Sequence, residues 1–316
     1  MDCDMSYLFN SGVYLFFKFK ALICLPVYIL AFVLLYVNHS PNIIVVRMQY
    51  IRLIIFNYIF IFILTVIVCP ILIPPIAGYY STGLISVFNL NAGIPLVLLT
   101  HSISILALAI ILLINHQLVS LSLFRISKTY DLPIKITFIL FKICYTSFIL
   151  VAIGVIPVLT LESELENIHN FAYEKYGTLV VCCPQMFVSD HRKWQILVPY
   201  CASLFFALSC SITGIISVSL CLLIMYESRN MVSIKTLNMQ KNFTFVILYQ
   251  AFVYIGFIVL PIGIISTLFV WEIDLPANGL YHLILISSQG TVSNMIHILP
   301  QLYRMFFKKK KIWTSR

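Results

Sequence analysis

A small set of polar side chains lies within long apolar stretches of this chain, and these residues are the best suited to bind a small molecule. Hydroxyl, imidazole and amide groups donate and accept hydrogen bonds, and polar groups within a hydrocarbon layer usually face the interior of a helix bundle. They can also bond neighbouring helices and hold the bundle together. Each residue alone fits that structural role better, but the set predicts a ligand pocket in the outer halves of the helices. The set comprises Thr100, His101, Ser102, Tyr254, Ser287 and Gln289.

Catalytic motifs are missing from the sequence. It contains no His-Glu-x-x-His metalloprotease motif and no Gly-x-Ser-x-Gly nucleophile elbow, and the apolar stretches contain neither Asp nor Glu. The one charge assigned to those stretches, Lys142, is expected to extend toward the lipid headgroups. We therefore expect no enzymatic activity and no bound cofactor or metal, and ion-coupled transport is disfavoured.

Seven apolar runs carry these polar residues. Hydrophobic residues make up 61% of the 316 residues and charged residues only 10%, against roughly 25% charged in soluble domains. A helix needs about 20 residues to cross a hydrocarbon layer. The predicted fold class is therefore an all-α integral membrane protein, a single seven-transmembrane helix bundle. The predicted spans are about 21–37, 53–77, 94–114, 136–160, 196–226, 243–270 and 279–303.

The distribution of basic residues predicts the orientation of the bundle. Fourteen of the 20 Lys and Arg residues fall in the loops after spans 1, 3 and 5 and in the tail. Cytoplasmic loops carry such an excess of basic residues, so we predict an extracellular N-terminus and a short basic cytoplasmic tail, 304–316. The same distribution explains the net charge of +9 without nucleic-acid binding.

Prolines are expected to perturb two of the spans. Pro70, Pro74 and Pro75 lie within six residues at the outer end of span 2, and Pro261 lies in the outer half of span 6. Proline lacks a backbone N–H and clashes with the preceding helical turn. We therefore predict a break or kink near the end of span 2 and a kink in span 6.

Three cysteines are predicted to lie on the oxidising, outer side. These are Cys3, Cys182 and Cys183. One disulfide from Cys3 to Cys182 or Cys183 is an option, and free or palmitoylated thiols are the alternative.

The basic tail has two compatible interpretations. Lys308, Lys309, Lys310 and Lys311 follow directly after span 7, and lysines at this position attract anionic lipid with about 1 kcal/mol each. The alternative is a solvated segment that acts only as a topology signal.

Several short motifs occur in an order that points to a known family. Ser233 to Lys241 leads into span 6 with Gln250 and Pro261, and Ser288 to Ser293 is followed by Tyr303-Arg304 at the end of span 7. Further motifs are Ser40-Pro41, the prolines after span 2 with Gly78 and Gly83, and Cys183-Pro184 before span 5. The chain resembles the nematode serpentine chemoreceptors, class h (Srh) of the Str superfamily, with class i as a neighbour.

The resemblance implies a chemosensory G-protein-coupled receptor active in olfaction. Such a receptor would bind a small molecule in the outer half of the bundle and activate a heterotrimeric G protein at the inner face. The residues expected at that inner face are Arg125, Lys128, Lys235, Lys241 and Arg304. The implied location is the plasma membrane, in sensory cilia of chemosensory neurons.

The sequence departs from the family pattern at two places. Gln289 stands where class h receptors usually have His, and span 3 ends in Ile114-Asn115-His116, where the family usually has an acid and an arginine. Two other functions therefore stay open, a seven-span ligand-gated channel subunit with its N-terminus inside the cell and a small-solute transporter.

Overall fold

The structure is a computed structural model that describes most of the chain. The described residues are 12–37, 44–72, 78–88, 90–91, 93–122, 130–164, 167, 169–170, 173–174, 186–189, 193–230, 233–270 and 278–313.

Seven long helices account for most of these residues. Helix α1 spans Gly12–Val37, and α2 spans Ile44–Phe62 with a π-helical turn at Ile63–Val68. Helix α3 spans Ile94–Ser122, α4 spans Asp131–Gly154, and α5 spans Trp194–Glu227. Helix α6 comprises Ile234–Tyr254, a π-helical turn at Ile255–Val259 and Leu260–Val270, and α7 spans Asn278–Trp313. Short helical pieces lie at Leu84–Val87, Ile156–Glu164 and Ser228–Asn230.

Six of these helices, α1 to α6, are long and apolar enough to cross a membrane. Helix α7 is also long, but polar residues such as Ser288, Gln289 and Asn294 interrupt its apolar character. Many large apolar side chains point outward, including Leu22, Ile215 and Phe252. An outward apolar surface of this kind is what a lipid-facing bundle requires.

Helix α2 ends earlier than predicted. It stops at Val68 rather than near residue 77, because Cys69 adopts a left-handed backbone conformation with φ of 43°. Pro70 then begins a β-strand, where its missing N–H is tolerated at the first residue of an edge strand. The chain therefore breaks from the helix directly before Pro70 rather than kinking within it. Pro74 and Pro75 lie outside the described residues.

The carbonyls freed at this helix end are bonded by the segment that follows. The carbonyl of Val68 accepts from the Gly83 backbone N–H at 2.9 Å and from Ser81 Oγ at 2.7 Å. The carbonyl of Cys69 accepts from Thr82 Oγ1 at 2.7 Å. Gly83 is required because a Cβ there would overlap the backbone of Ile67. A helix can thus end close to the hydrocarbon layer without leaving unpaired carbonyls.

A small antiparallel sheet covers this end of the bundle. Strand β1 is Pro70–Leu72, β2 is Gly78–Ser81 and β3 is Met186–Val188, in the order β1-β2-β3. Tyr79 stacks on Phe187 with ring centroids 5.3 Å apart. His169 lies buried beside β3 with Nε2 3.2 Å from the carbonyl of Met186, and burial lowers its pKa.

Other predicted span boundaries also differ from the helix ends, including the start of α2 at Ile44 rather than near 53 and the end of α7 at Trp313 rather than near 303. Helix α1 starts at Gly12, so Lys18 and Lys20 lie inside it rather than before it. Helix α3 continues to Ser122 because Leu118 and Leu121 extend its buried face past residue 114. The α-helical part of α4 ends at Gly154, but the short helix Ile156–Glu164 continues it, so the apolar span reaches Thr160 as predicted. Helix α6 starts at Ile234, where the Ser233 side chain caps it by accepting from the Thr236 N–H at 3.3 Å.

All seven helices contribute to the main core. Its fully buried members include Phe17 of α1, Phe60 of α2, Leu113 of α3 and Ile247 of α6. Helix α3 packs against α2, α4, α5 and α6, whereas α7 packs against α1, α2 and α6. Helices α3 and α7, which carry most of the predicted ligand residues, thus share α2 and α6 as neighbours, while α1 packs only against α7 of the two among these contacts.

Candidate functional site

Three of the predicted ligand residues lie on α3, and the hydrogen bonds described for two of them stay within that helix. His101 Nδ1 lies 2.8 Å from the carbonyl of Val97, and Ser102 Oγ donates to the carbonyl of Leu99 at 2.9 Å. Ser102 is buried, and Thr100 and His101 are half-buried. Neither His101 nor Ser102 has a described hydrogen bond to another helix, so neither is shown to tie helices together.

The other predicted ligand residues lie elsewhere in the bundle. Tyr254 of α6 packs against the cluster of Ala107, Val151 and Phe206. Ser287 of α7 is buried and donates to the carbonyl of Ile284 at 2.9 Å. The structure brings none of the six predicted residues into the shallow cleft of about 370 Å³ beside the sheet. That cleft is lined by Tyr14, Leu15, Lys18, Tyr80, Ser81, Thr82 and Ser86.

Gln289 differs from the other five residues because its amide is buried without a partner. Its side chain has no exposed surface, and neither amide atom has a hydrogen-bond partner among the described residues. The same holds for Asn57 of α2. A buried amide left unpaired costs about 1–3 kcal/mol. Gln289 and Asn57 are therefore well suited to bind a polar group of a ligand or of water.

A buried lysine was missed by the sequence analysis. Lys20 of α1 is only 3% exposed, and its Nζ donates to the carbonyl of Ile284 at 2.7 Å and to Ser288 Oγ at 2.5 Å. Lys142, taken from the sequence as the charge within the spans, is exposed instead. Lys20 was overlooked because the apolar run was taken to begin at residue 21. Its burial could have been inferred from helical spacing, because Lys20 lies on the same face of α1 as the buried residues Phe17, Ala21 and Cys24.

Two turns further along, α1, α2 and α7 meet closely around a glycine. A Cβ built on Gly290 would overlap the Tyr28 hydroxyl and lie 2.9 Å from Cβ of Asn57. Only glycine lets the side chains of Tyr28 and Asn57 approach α7 this closely. We call the contact surface of α1 with α7, from Lys20 to Gly290, the outer seam, after the side on which the sequence predicts it to lie.

Helices α6 and α7 are joined at their middle depth. Gln250, which is fully buried, accepts from Ser293 Oγ and donates through Nε2 to the Ser293 carbonyl at 3.2 Å. Tyr249 donates to the carbonyl of Val292 at 3.0 Å. These bonds lie on the N-terminal side of the π-helical turn Ile255–Val259, which ends two residues before Pro261. Such turns and prolines are the usual causes of a bend in a helix.

Helices α3, α5 and α6 are joined at the opposite end from the sheet. Gln117 of α3 donates through Nε2 to Gln240 Oε1 at 3.0 Å and to Thr244 Oγ1 at 2.9 Å. Gln240 also donates to Ser120 Oγ at 3.5 Å, and Thr244 Oγ1 lies 3.5 Å from the Met225 sulfur of α5. We call this uncharged set of contacts the inner junction, after the side on which the sequence predicts it to lie.

Comparison with protein families decides the identity of this bundle. The family model described as "Serpentine type 7TM GPCR chemoreceptor Srh" matches residues 10–312. The chain belongs to the Srh family of serpentine chemoreceptors. No curated protein and no solved structure matched the chain. The resemblance stated from the motifs is thereby confirmed.

Membership in the Srh family makes the chain a multi-pass membrane protein of a chemoreceptor class. It also places the chain in a family of receptors rather than enzymes. Among the described residues, no group of three or more His, Cys, Asp or Glu side chains is arranged to hold a metal ion.

Several predicted residues of the Srh chain lie outside the described part. These are Cys3, Cys182 and Cys183 of the predicted disulfide and Arg125 and Lys128 of the predicted inner face. The side chains of Lys235, Arg304 and Lys308 to Lys311 are outside it too, although their backbones lie in α6 and α7. Lys241 is exposed near the start of α6, one residue after Gln240 of the inner junction.

Proposed function

We propose that this chain is a chemosensory G-protein-coupled receptor with seven spans, an extracellular N-terminus and a cytoplasmic C-terminus. It binds a small molecule in the outer half of the bundle and activates a heterotrimeric G protein at its inner face. The match to the Srh family over residues 10–312 carries this proposal. Helix α7 is the seventh span, and the receptor acts in the plasma membrane, including sensory cilia.

Activation in this proposal is a shift between two helix arrangements. A ligand drives the shift only by binding one arrangement better than the other. Outward movement of the inner end of α6 must break the bonds from Gln117 to Gln240 and Thr244. Each neutral hydrogen bond contributes about 0.5–1.5 kcal/mol, and allosteric couplings amount to about 1–3 kcal/mol. The inner junction is thus weak enough for a ligand to open.

The π-helical turn and Pro261 give α6 a place to bend between its outer and inner ends. The opened inner face would present Arg125, Lys128, Lys235, Lys241 and Arg304 to the G protein. Lys308 to Lys311 would hold anionic lipid beside it. In the outer half, the proposed ligand contacts are Thr100, His101, Ser102, Tyr254, Ser287 and Gln289.

Two measurements test the proposal. Cells that express the chain with a promiscuous Gα subunit and a calcium reporter should respond to members of a broad odorant panel. An N-terminal epitope tag should be detected on intact cells, and a C-terminal tag only after permeabilisation. The reverse pattern of tags would favour the seven-span channel topology, and silence of the reporter across the panel would count against receptor function.

A further inference from the structure

The outer seam contains a positive charge with an unusual set of partners. The Lys20 ammonium is almost fully buried, and its described hydrogen bonds go to one backbone carbonyl and one hydroxyl. Burying an ion costs several kcal/mol unless it is paired. No carboxylate lies within ion-pair distance of Lys20 in the described part of the chain.

Acceptors are scarce around this ammonium. The carbonyl of Ile284 accepts from Lys20 Nζ at 2.7 Å, from Ser287 Oγ at 2.9 Å and from Ser288 Oγ at 2.7 Å. Three donors therefore share one carbonyl oxygen, which has two lone pairs. An ammonium has three donors and a full charge. The site is therefore rich in donors and positive, and the described residues supply it with no anionic acceptor.

The surroundings of the ammonium are apolar on the outward side. The Phe16 ring centroid lies 5.8 Å from Lys20 Nζ, and this ring is 47% exposed. A group that approaches Lys20 from this side passes an aromatic surface before it reaches the charge. An anion with an apolar tail fits both features, since the tail can cover Phe16 while the anion accepts from Nζ.

We propose that Lys20 is the recognition residue for the carboxylate of a small carboxylic acid with an apolar tail. The inference rests on the proposed function, because it names the ligand class of that receptor. A monoanion balances the single charge of Lys20, whereas a phosphate would bring excess negative charge into the seam. The Lys20 ammonium donates to the ligand carboxylate, and Ser288 Oγ supplies a second donor once it turns from the Ile284 carbonyl.

A binding experiment tests the proposal without any G protein. The receptor in lipid nanodiscs is heated with hexanoate, methyl hexanoate or hexylamine, and the shift of its melting temperature is measured. Hexanoate should stabilise the native receptor, whereas the ester and the amine should not. Lys20→Met should weaken hexanoate binding about 30-fold or more, since loss of a buried charge partner typically costs about 2–5 kcal/mol.

Matched variants keep this test independent of folding. Lys142→Met removes the same charge from an exposed position, and it should bind hexanoate like the native receptor. Lys20→Arg keeps the charge and should retain part of the affinity. Met has a similar volume to Lys and leaves no described ion-pair partner of Lys20 behind as an uncompensated buried charge, so Lys20→Met should reach the cell surface at native levels.

A parallel signalling experiment separates the two proposals. Calcium responses to hexanoate that are lost in Lys20→Met support both the receptor function and the ligand class. Hexanoate binding without any calcium response supports Lys20 and counts against G-protein activation. Responses to neutral odorants, with no effect of hexanoate and none of Lys20→Met, would overturn the ligand class and leave the receptor function standing.

The chain's own acids provide a second way to overturn the inference. Glu272 and Asp274 precede α7 in the sequence. If one of them were the counter-ion of Lys20, Glu272→Gln or Asp274→Asn should lower the melting temperature in the native receptor but not in Lys20→Met. Such coupling, together with no stabilisation by hexanoate, would contradict the proposal.

Discussion

The outer seam and the inner junction differ in how completely their buried polar groups are paired by hydrogen bonds. At the inner junction, neutral side chains of three helices bond one another, with Gln117 bridging to Gln240 and Thr244. At the outer seam, the charged Lys20 has only neutral acceptors, and Gln289 nearby has no partner for its amide among the described residues. The bonds of the inner junction run between its own neutral side chains, although Gln117 Oε1 has no partner among the described residues. The outer seam leaves a charge without an anionic acceptor and both amide atoms of Gln289 without a partner among those residues.

This difference suggests that the two regions have separate roles in the receptor. A set of paired neutral bonds holds two helices together and can be broken at a cost of a few kcal/mol. A site rich in donors gains free energy when an acceptor arrives. In the proposed receptor, the outer seam therefore recognises the ligand, and the inner junction keeps the inner face closed until the ligand is bound.

The largest effect is expected from filling the glycine of the outer seam. Gly290→Ala should strongly lower the amount of receptor at the cell surface, because the added Cβ overlaps the Tyr28 hydroxyl and overpacking costs about 1–3 kcal/mol. Gly263→Ala is the matched control, since a Cβ there meets nothing within 4 Å. Surface staining and the melting temperature of the purified receptor provide the measurement. Equal behaviour of the two variants would mean that α1, α2 and α7 do not meet as described.

The next effect concerns the inner junction. Gln117→Leu removes two bonds that hold α6 to α3, so it should raise basal signalling and shift the ratio of open to closed receptor about tenfold. Asn115→Leu, two residues earlier on the same helix, is the control. It removes an amide whose oxygen has no partner among the described residues, so it should leave basal signalling unchanged. Calcium signalling without ligand, normalised to surface expression, provides the measurement. Lower basal signalling in Gln117→Leu would contradict a latch at this position.

A smaller effect is expected at His101. Its described bond goes to Val97 of the same helix, so His101→Ala should reach the surface normally and change agonist potency by a few fold. Dose–response curves and surface staining of the same cells measure both quantities. A collapse of surface expression would show that His101 supports packing rather than ligand binding.

The smallest effect concerns the sheet that covers the outer end. Burial lowers the pKa of His169 below its usual value, which is about 6.5, so the unfolded chain binds the proton first as the pH falls. The contribution of His169 to stability is thus present above pH of about 6.5 and is lost below it. The melting temperature of the receptor should fall between about pH 7.5 and about pH 5.5. This fall should be smaller in His169→Gln, and an equal fall in both proteins would contradict the assignment.

The helices could be predicted from the sequence more readily than their ends or their contacts. Apolar runs of about 20 residues identify helices because backbone groups in lipid have to be paired. The end of α2 could not be predicted, since it depends on the long-range bonds from Ser81, Thr82 and Gly83 to the carbonyls of Val68 and Cys69.

The polar contacts were harder to predict because the partner of each side chain lies on another helix. Lys20 bonds residues more than 260 positions away, and the partners of Gln117 lie more than 120 positions away. The missing charges at the end of span 3 were visible in the sequence. The neutral amides that join the same helices could be identified only once α3 was seen to continue to Ser122.

The most direct test of the central proposal is nucleotide exchange on a purified heterotrimeric G protein by the receptor in nanodiscs. The proposed function predicts exchange that depends on the receptor and that is faster with Gln117→Leu than with the native chain. If neither protein accelerated exchange over empty nanodiscs with any Gα class, the inner junction would not be a latch for G-protein coupling, and the proposed signalling function would be contradicted.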